Sequence, residues 1–246
     1  MQLIVVDTPF DTGSVVAGLV GDHRPRVLGV ATGSSPEPAY RELVRRGELA
    51  STTVLCLLDE YIGLAPGSAH RYRAQIERQL GGPMGALRIE APDVDRADLP
   101  SAAAAYEQAI EDLGGVDVQI LGVGRNGHIG FNEPGTSFSS RTHVTTLAVE
   151  TRHDNARFFG SLAAVPTHSI TQGLRTIMRA HTIVLVAAGS AKAVAVESLF
   201  TRPPSIDLPA SVLQFHREVI VVADRAACRL LEGLPPHPVH ATQERS

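Results

Sequence analysis

The sequence predicts an α/β fold: a doubly wound, Rossmann-like and mostly parallel sheet with helices on both faces. Short runs rich in valine, isoleucine and leucine recur without polar alternation, which is typical of parallel strands covered on both faces. Segments with helical spacing lie between these runs, and such alternation of strand and helix favours a parallel sheet. Ligands of these sheets bind where the strands end, so a site is expected at the carboxyl edge.

Six apolar runs are predicted as strands, and each ends near a glycine or a polar residue. In chain order they read LIVVD, RVLGVATG, TTVLCLLDE, VDVQILGVG, HTIVLVAAG and EVIVVAD. The second to the fifth lead into residues capable of acid–base or anion-binding chemistry. Because the carboxyl ends of parallel strands meet at one edge, these four loops are expected to converge.

The helical segments carry start and stop signals. PEPAYRELVRRGEL has proline in its first turn, and SAAAAYEQAIEDLGG begins with serine and ends at glycine. SAKAVAVESLF and RAACRLLEGL complete the alternation. The 246 residues, 43% of them hydrophobic, suit a single domain over residues 1–234. The proline-rich segment 235–246 is predicted to be a mobile tail.

Charge and hydropathy argue against several classes of protein. Lys and Arg number 22 against 26 Asp and Glu, a net charge of −4 without a basic run, which disfavours nucleic acid as the partner. Asp7, Pro9 and Asp11 interrupt the apolar amino-terminal stretch, so a signal peptide is not expected, and no apolar run reaches membrane-spanning length. Cys56 and Cys228 are expected to be buried thiols in a reducing compartment. A cytoplasmic protein is predicted.

The turn Thr32-Gly33-Ser34-Ser35 follows the second predicted strand and precedes a helix. Backbone N–H groups at such a turn and the positive end of the helix dipole both attract phosphate. An ordinary strand-to-helix loop with a serine cap is equally compatible with these residues. No Gly-Lys-Ser/Thr sequence follows, so the turn is not a nucleotide P-loop.

Asp59 and Glu60 stand directly after the apolar residues VLCLL. The surroundings of a half-buried carboxylate tune its pKa, which suits a general base. Two adjacent acids beside an apolar strand are costly unless they are used or paired. A helix cap or a solvated turn is the structural alternative.

The stretch LGVGRNGHIGFNEPG contains Gly122, Gly124 and Gly127 at the spacing of a dinucleotide-binding turn. That turn requires a long helix directly afterwards, and HIGFNEPG contains glycines and a proline that would break one. The nucleotide-binding interpretation is therefore rejected. The glycines are predicted to let the backbone turn sharply beneath His128.

His128 and Glu133, five residues apart in this loop, outline an acid–base dyad. Histidine titrates near neutral pH, and a carboxylate bonded to one ring nitrogen fixes the tautomer and raises basicity. A structural histidine in a tight turn fits the loop equally well. The chain has neither an HExxH motif nor a cysteine cluster, so no metal site is expected.

Arg157 and Lys192 complete the candidate set. Lys192 falls in the first turn of a predicted helix, where the dipole disfavours a cation unless a bound anion compensates. A solvated side chain is the alternative for Lys192 and the default for Arg157.

The chain resembles the glucosamine-6-phosphate deaminases nearly from end to end. The similarity runs from GVATGSSP through LDEYIGL and NGHIGFNEPG to SRTHVTTLAVETRHDNARFF and VPTHSITQGLRTIM. The NGHIGFNEPG block is highly specific, because the related 6-phosphogluconolactonases share the fold and the Gly-His element but differ after the histidine. The resemblance implies conversion of glucosamine 6-phosphate to fructose 6-phosphate and ammonia.

The resemblance also implies a role for each candidate residue. Asp59 would move a proton between C2 and C1, and His128 would open the sugar ring. Glu133 and Asn126 would be its supporting relay. The sugar phosphate would be the only partner required, without a metal or organic cofactor. Its phosphate would be held by Thr32, Gly33, Ser34, Ser35, Arg157 and Lys192.

Two positions depart from the pattern of the family. Many members carry aspartate where this chain has Asn126; an amide cannot accept a proton at neutral pH, so Asn126 is expected only to orient His128. Regulated hexameric members carry arginine and lysine where this chain has His143 and Thr145. Activation by N-acetylglucosamine 6-phosphate is therefore expected to be weak or absent. The short carboxyl end makes a monomer plausible, with a homo-oligomer as the alternative.

Three other functions stay open at this point. A galactosamine-6-phosphate deaminase would use the same chemistry, and a 6-phosphogluconolactonase would share the fold. A sugar-phosphate-sensing module would be a binding protein rather than an enzyme. The sequence contains no DNA-binding helix-turn-helix segment, which disfavours the sensing module.

Overall fold

The computed structural model describes residues 1–231, so the predicted domain end at residue 234 and the predicted tail lie outside the described residues. Seven strands form one sheet in which every neighbouring pair is parallel, and three more form a second sheet. In chain order the ten strands are β1 (Gln2–Val6), β2 (Val27–Val30), β3 (Val54–Leu57), β4 (Asp59–Tyr61), β5 (Arg88–Glu90), β6 (Val118–Gly122), β7 (His143–Thr146), β8 (His168–Thr171), β9 (Thr182–Ala187) and β10 (Val219–Asp224). The central sheet has the order β1-β10-β9-β6-β2-β3-β5, which confirms the predicted parallel α/β fold.

Residues 1–231 contain eight α-helices, of which the last follows β10, and α3 runs directly into a π-helical turn, Glu77–Gly81. They are α1 (Pro9–His23), α2 (Glu37–Arg46), α3 (Tyr72–Ile76), α4 (Leu99–Asp112), α5 (Val149–Phe159), α6 (Leu174–Ile177), α7 (Ala193–Thr201) and α8 (Arg225–Cys228). The predicted start of α4 at a serine is wrong by two residues. Asp98 is the cap instead, since its carboxylate accepts the backbone N–H of Ser101 at 3.1 Å.

The core lies on both faces of the central sheet, as the unbroken apolar strands predict. Along β9, Ile183 and Leu185 belong to one buried cluster, whereas Val184 and Val186 belong to another. The first cluster includes apolar residues of α4 and α7, and the second includes those of α1 and α2. Among the described helices, none has both the length and the apolar character needed to cross a membrane.

The second sheet was not predicted. It has the order β4-β8-β7, and both of its pairs are antiparallel. The apolar run TTVLCLLDE was predicted as one strand, but it changes sheets at Leu58. The Leu58 N–H donates to the carbonyl of Val30 in the central sheet at 2.9 Å, and the Leu58 carbonyl accepts the N–H of Gln172 at 2.8 Å. Asp59 therefore starts a new strand at the junction of the two sheets.

Candidate active site

A cavity of about 360 Å³ lies at the carboxyl edge of the central sheet. Its wall is built by the loops that follow β2, β3, β6 and β9, together with α5. Asn126 and Glu133 contact His128 from behind. The other predicted site residues all line the cavity: Thr32, Gly33, Ser34, Ser35, Asp59, His128, Arg157 and Lys192.

Asp59 is 6% exposed and faces this cavity from the first position of β4. Burial raises the pKa of its carboxyl well above the ordinary value, and the neighbouring charge of Glu60 raises it further. A carboxylate with a raised pKa is a stronger base than one in water, so the position suits proton abstraction.

Glu60 has a different task from its neighbour. Its carboxylate accepts the backbone N–H groups of Tyr61, Tyr72 and Arg73, each at 2.9 Å, and so caps the start of α3. The expectation that adjacent acids must be used or paired is met by Glu60, which is paired with these backbone N–H groups. Asp59 is available to a ligand, whereas Glu60 holds the backbone together.

The loop of His128 is a tight turn without a following helix, since residues 125–142 contain no helix and only an isolated bridge between Ile129 and Asn132. Gly124 N–H donates to the His128 carbonyl at 2.8 Å, and Gly127 has φ 82. The imidazole of His128 lies against Gly124, where a Cβ would meet the ring at 2.2 Å. Gly127 thus serves the turn, while Gly124 leaves room for the ring.

Asn126 stands between His128 and Glu133. Its Oδ1 contacts His128 Nδ1 at 2.7 Å, and its Nδ2 donates to Glu133 Oε2 at 2.9 Å. Because an amide oxygen only accepts, Nδ1 must carry the proton, and this leaves the lone pair on Nε2. The direct separation of His128 Nδ1 from Glu133 Oε2 is 3.5 Å. The amide is therefore the shorter link to the histidine.

Glu133 remains ionised in this arrangement. Burial by itself would raise the pKa of its carboxyl, but contact with His128 and hydrogen bonds from Thr151 and Asn126 lower it to about 2. The carboxylate can stabilise a positive charge on the imidazole without exchanging protons near neutral pH.

The far end of the cavity is suited to an anion. Gly33 has φ 100, and the turn that contains it leads into the amino terminus of α2, where no side chain caps the backbone N–H groups. Lys192 immediately precedes α7. Burial lowers the pKa of Lys192, the charge of Asp154 opposes this, and the charges of Arg157 and Arg125 add to it. Mutual repulsion among these cations is what a bound phosphate would relieve.

Residues 14–222 match the family of glucosamine-6-phosphate isomerases and 6-phosphogluconolactonases. The chain belongs to this family. The resemblance inferred from NGHIGFNEPG and its flanking motifs is thereby confirmed.

Two family members show how close the likeness is. The glucosamine-6-phosphate deaminase of Beutenbergia cavernae is 46% identical over 243 residues, covering 94% of this chain and 93% of its own length. The glucosamine-6-phosphate deaminase of Arthrobacter sp. strain FB24 is 48% identical over 241 residues, with coverage of 94% and 93%.

Solved structures of the family extend the comparison. A monomeric glucosamine-6-phosphate deaminase superposes with a TM-score of 0.90 at 39% identity, covering 94% of this chain and all of the other. The 6-phosphogluconolactonase of Trypanosoma cruzi gives a TM-score of 0.77 at 17% identity, with coverage of 94% and 97%. The second likeness shows the fold alone.

The candidate site also contains side chains that the sequence did not single out. The Tyr61 hydroxyl accepts hydrogen bonds from the Tyr72 hydroxyl at 3.1 Å and from Asn155 Nδ2 at 2.8 Å. Asp154 forms a two-pronged ion pair with Arg125, with contacts of 2.6 and 3.1 Å. On α5 the site-facing residues recur at helical spacing, and that spacing was the available signal. They are Thr151, Asp154 and Asn155.

No metal-binding cluster is evident in residues 1–231, since no three His, Cys, Asp or Glu side chains are grouped to hold an ion. His143 instead contacts the Arg141 carbonyl through Nδ1 at 2.8 Å.

Proposed function

We propose that this protein converts glucosamine 6-phosphate and water into fructose 6-phosphate and ammonia. The observation that carries the proposal is that Asp59, His128 and an anion-suited end with Arg157 and Lys192 share one cavity. Aldose–ketose isomerisation needs a carboxylate base at C1 and C2, and ring opening needs a separate acid–base group at the ring oxygen. Membership of the family supports this activity.

Ring opening is assigned to His128. Its Nε2 takes the proton of the anomeric hydroxyl, whose electrons form the C1 carbonyl as the bond from C1 to the ring oxygen breaks. The same nitrogen then gives its proton to the ring oxygen. Asn126 and Glu133 hold the Nδ1 side of the ring and stabilise its transient positive charge.

Isomerisation is assigned to Asp59. Its carboxylate takes the C2 proton while the C1 oxygen takes a proton from the ammonium group of the substrate, which gives an enolamine. The carboxylic acid returns its proton to C1, leaving an iminium group at C2. Water adds to C2 and ammonia departs, so that the products differ from the substrate by one water gained and one ammonia lost. Neither step requires a metal or an organic cofactor.

The phosphate group is proposed to bind at the anion-suited end. Its ligands would be the backbone at Thr32 and Gly33, the serines 34 and 35, and the side chains of Arg157 and Lys192. Binding energy from this group, which does not react, would orient C1 and C2 against Asp59.

The setting proposed for this reaction is amino-sugar catabolism in the cytoplasm, with the sugar phosphate as the partner and neither nucleic acid nor membrane involved. The chain is proposed to act as a monomer or a homo-oligomer. His143 and Thr145, standing where regulated members carry cations, support weak or absent activation by N-acetylglucosamine 6-phosphate.

An ammonia-release assay tests the proposal. Glucosamine 6-phosphate, galactosamine 6-phosphate and the lactone of 6-phosphogluconate are offered separately, each with and without N-acetylglucosamine 6-phosphate. Ammonia from the glucosamine epimer, with little change on adding the acetylated sugar, is the expected result. Lactone hydrolysis without ammonia release would overturn the proposal, and preference for the galactosamine epimer would reassign the substrate.

A further inference from the structure

We propose that Thr151 is a positioning residue for ring opening, which acts on His128 through Glu133. The expected effect on turnover rests on the proposed function. The expected effect on the hydrogen bonds of His128 applies to the protein without substrate.

The four side chains form one chain of hydrogen bonds, in which the donors point toward Glu133 from both sides. Thr151 Oγ1 donates to Glu133 Oε1, and Asn126 Nδ2 donates to Glu133 Oε2 at 2.9 Å. His128 Nδ1 reaches Asn126 Oδ1 at 2.7 Å. Because an ionised carboxylate only accepts, both of its oxygens are committed and its plane is fixed. Thr151 thus keeps Oε2 aimed at the amide that holds the histidine.

The Thr151 hydroxyl is itself held in place. Thr151 is 4% exposed, in the first turn of α5. The same helix contacts the rest of the site through Asp154, which pairs with Arg125, and through Asn155, which bonds Tyr61. These residues lie three and four positions after Thr151, on the same helix face. Glu133 is therefore positioned by α5, the helix that also contains Arg157.

Removal of the hydroxyl has a specific consequence. Valine has the shape of threonine without the donor, so Thr151→Val leaves Glu133 Oε1 unpaired in a half-buried place. The carboxylate can then turn toward another donor, which frees the Asn126 amide and with it the tautomer of His128. Serine restores the donor with one methyl group fewer.

Kinetics provide the first test. Thr151→Val should lower kcat for glucosamine 6-phosphate about tenfold with KM nearly unchanged, and Thr151→Ser should recover most of the loss. On an analogue that lacks both the C4 and the C5 hydroxyls, and so can close neither a furanose nor a pyranose ring, the loss should vanish. The matched control is Thr53→Val, since Thr53 is buried and its hydroxyl bonds the Pro25 carbonyl at 3.1 Å outside the cavity. An equal loss on the open analogue would overturn the positioning role.

A double-mutant cycle tests the route. If Thr151 acts only through Glu133, adding Thr151→Val to a Glu133→Gln protein should change kcat by less than about twofold. A full additional tenfold loss would show that Thr151 acts elsewhere and would contradict the inference. Thr151→Ala serves the same purpose should the valine variant fail to fold.

Nitrogen-15 spectra of the His128 ring in the free protein provide a readout independent of substrate. The native protein should show one protonated and one bare nitrogen, and the valine variant should show the two resonances moving together as the tautomers exchange. An unchanged spectrum would contradict the inference. If the native protein released no ammonia, the proposed function would fail, yet this spectrum would still decide the role of Thr151.

Discussion

The imidazole of His128 rests on the backbone of Gly124, so closely that a Cβ at residue 124 would stand 2.2 Å from ring atoms. Gly124 is not among the glycines with positive φ, so its backbone conformation is open to alanine. The glycine is needed because of the ring above it. If His128 opens the sugar, the reaction should therefore be sensitive to a single methyl group added at Gly124, although Gly124 has no side chain that could contact the substrate.

Gly124→Ala should displace the imidazole and leave the fold intact, because a side chain can move away from the added methyl group. A misplacement of about 1 Å costs on the order of a hundredfold in rate, and a loss of that size in kcat is expected. Ammonia release and the melting temperature should be measured together. Gly18→Ala on α1 is the control, since its Cβ would meet only ordinary contacts. Native turnover in the Gly124 variant would argue against a ring-opening role for His128.

Replacement of His128 by glutamine should slow reactions that begin from the closed sugar. General acid–base groups contribute about a hundredfold or more, so a loss of that order is expected with glucosamine 6-phosphate. With an analogue that cannot close its ring, the variant should approach the native rate. An equal loss with both substrates would mean that His128 acts after ring opening.

Loss of charge should lower the activity at Asp59 and the stability of the fold at Glu60. Asp59→Asn removes the proposed base and should lower ammonia release by at least about a hundredfold while substrate still binds. Glu60→Gln places an amide N–H against the backbone N–H of Arg73, which should lower the stability by about 1–3 kcal/mol. Activity and thermal unfolding of both variants distinguish the roles. Normal turnover in the Asp59 variant would contradict the base assignment.

On an analogue that cannot close its ring, where ring opening by His128 is not needed, the acidic limb of the pH profile should belong to Asp59. The base form is required, and the pKa of Asp59 is raised, so kcat/KM should fall with decreasing pH at a higher pH than for an ordinary carboxyl group. Glu133, with a pKa of about 2, stays ionised throughout. Glu133→Gln should therefore keep the same acidic limb at a lower rate. A limb that disappears in that variant would assign the titration to Glu133 instead.

Charge at the anion-suited end gives a further prediction. Asp154→Asn removes a negative charge beside Lys192 and Arg157 and leaves Arg125 without its partner carboxylate. Inorganic phosphate should then bind roughly threefold more tightly at low salt, and the gain should shrink as salt screens the charges. Asp112→Asn at the end of α4 changes the same charge elsewhere and should have little effect. Weaker phosphate binding in the Asp154 variant would contradict the phosphate assignment.

The parallel sheet could be predicted because its strands are apolar on both faces, and because each run is bounded by turn residues. The second sheet could not. The strands HVTT and HSIT mix hydroxyl groups and histidine with single apolar residues, so their sequences show neither the apolar period of a strand nor that of a helix. The third predicted run also gives no sign that Leu58 changes sheets. Strand β5, Arg88–Glu90, is too short and too polar to be recognised as a strand from the sequence.

The convergence of the site was predictable for a topological reason, since four loops at one edge of a parallel sheet must approach one another. The part contributed by α5 was not predictable in the same way. Thr151 and Asn155 reach the site only because the helix packs over it, with Tyr61, Phe131 and Phe159 in contact beneath. The division of labour between Asp59 and Glu60 likewise depends on which carboxylate meets the backbone of α3.

Leu58 gives its N–H to one sheet and its carbonyl to another, and the proposed base is the next residue. Asp59 thereby follows a residue that two hydrogen-bonded sheets fix from opposite sides, whereas His128 lies on a loop and the proposed phosphate ligands lie at helix ends. Evolution or engineering could exchange that loop and those helix ends to admit a different sugar. Asp59 would keep its position for proton transfer, because such an exchange leaves the two backbone hydrogen bonds of Leu58 unchanged.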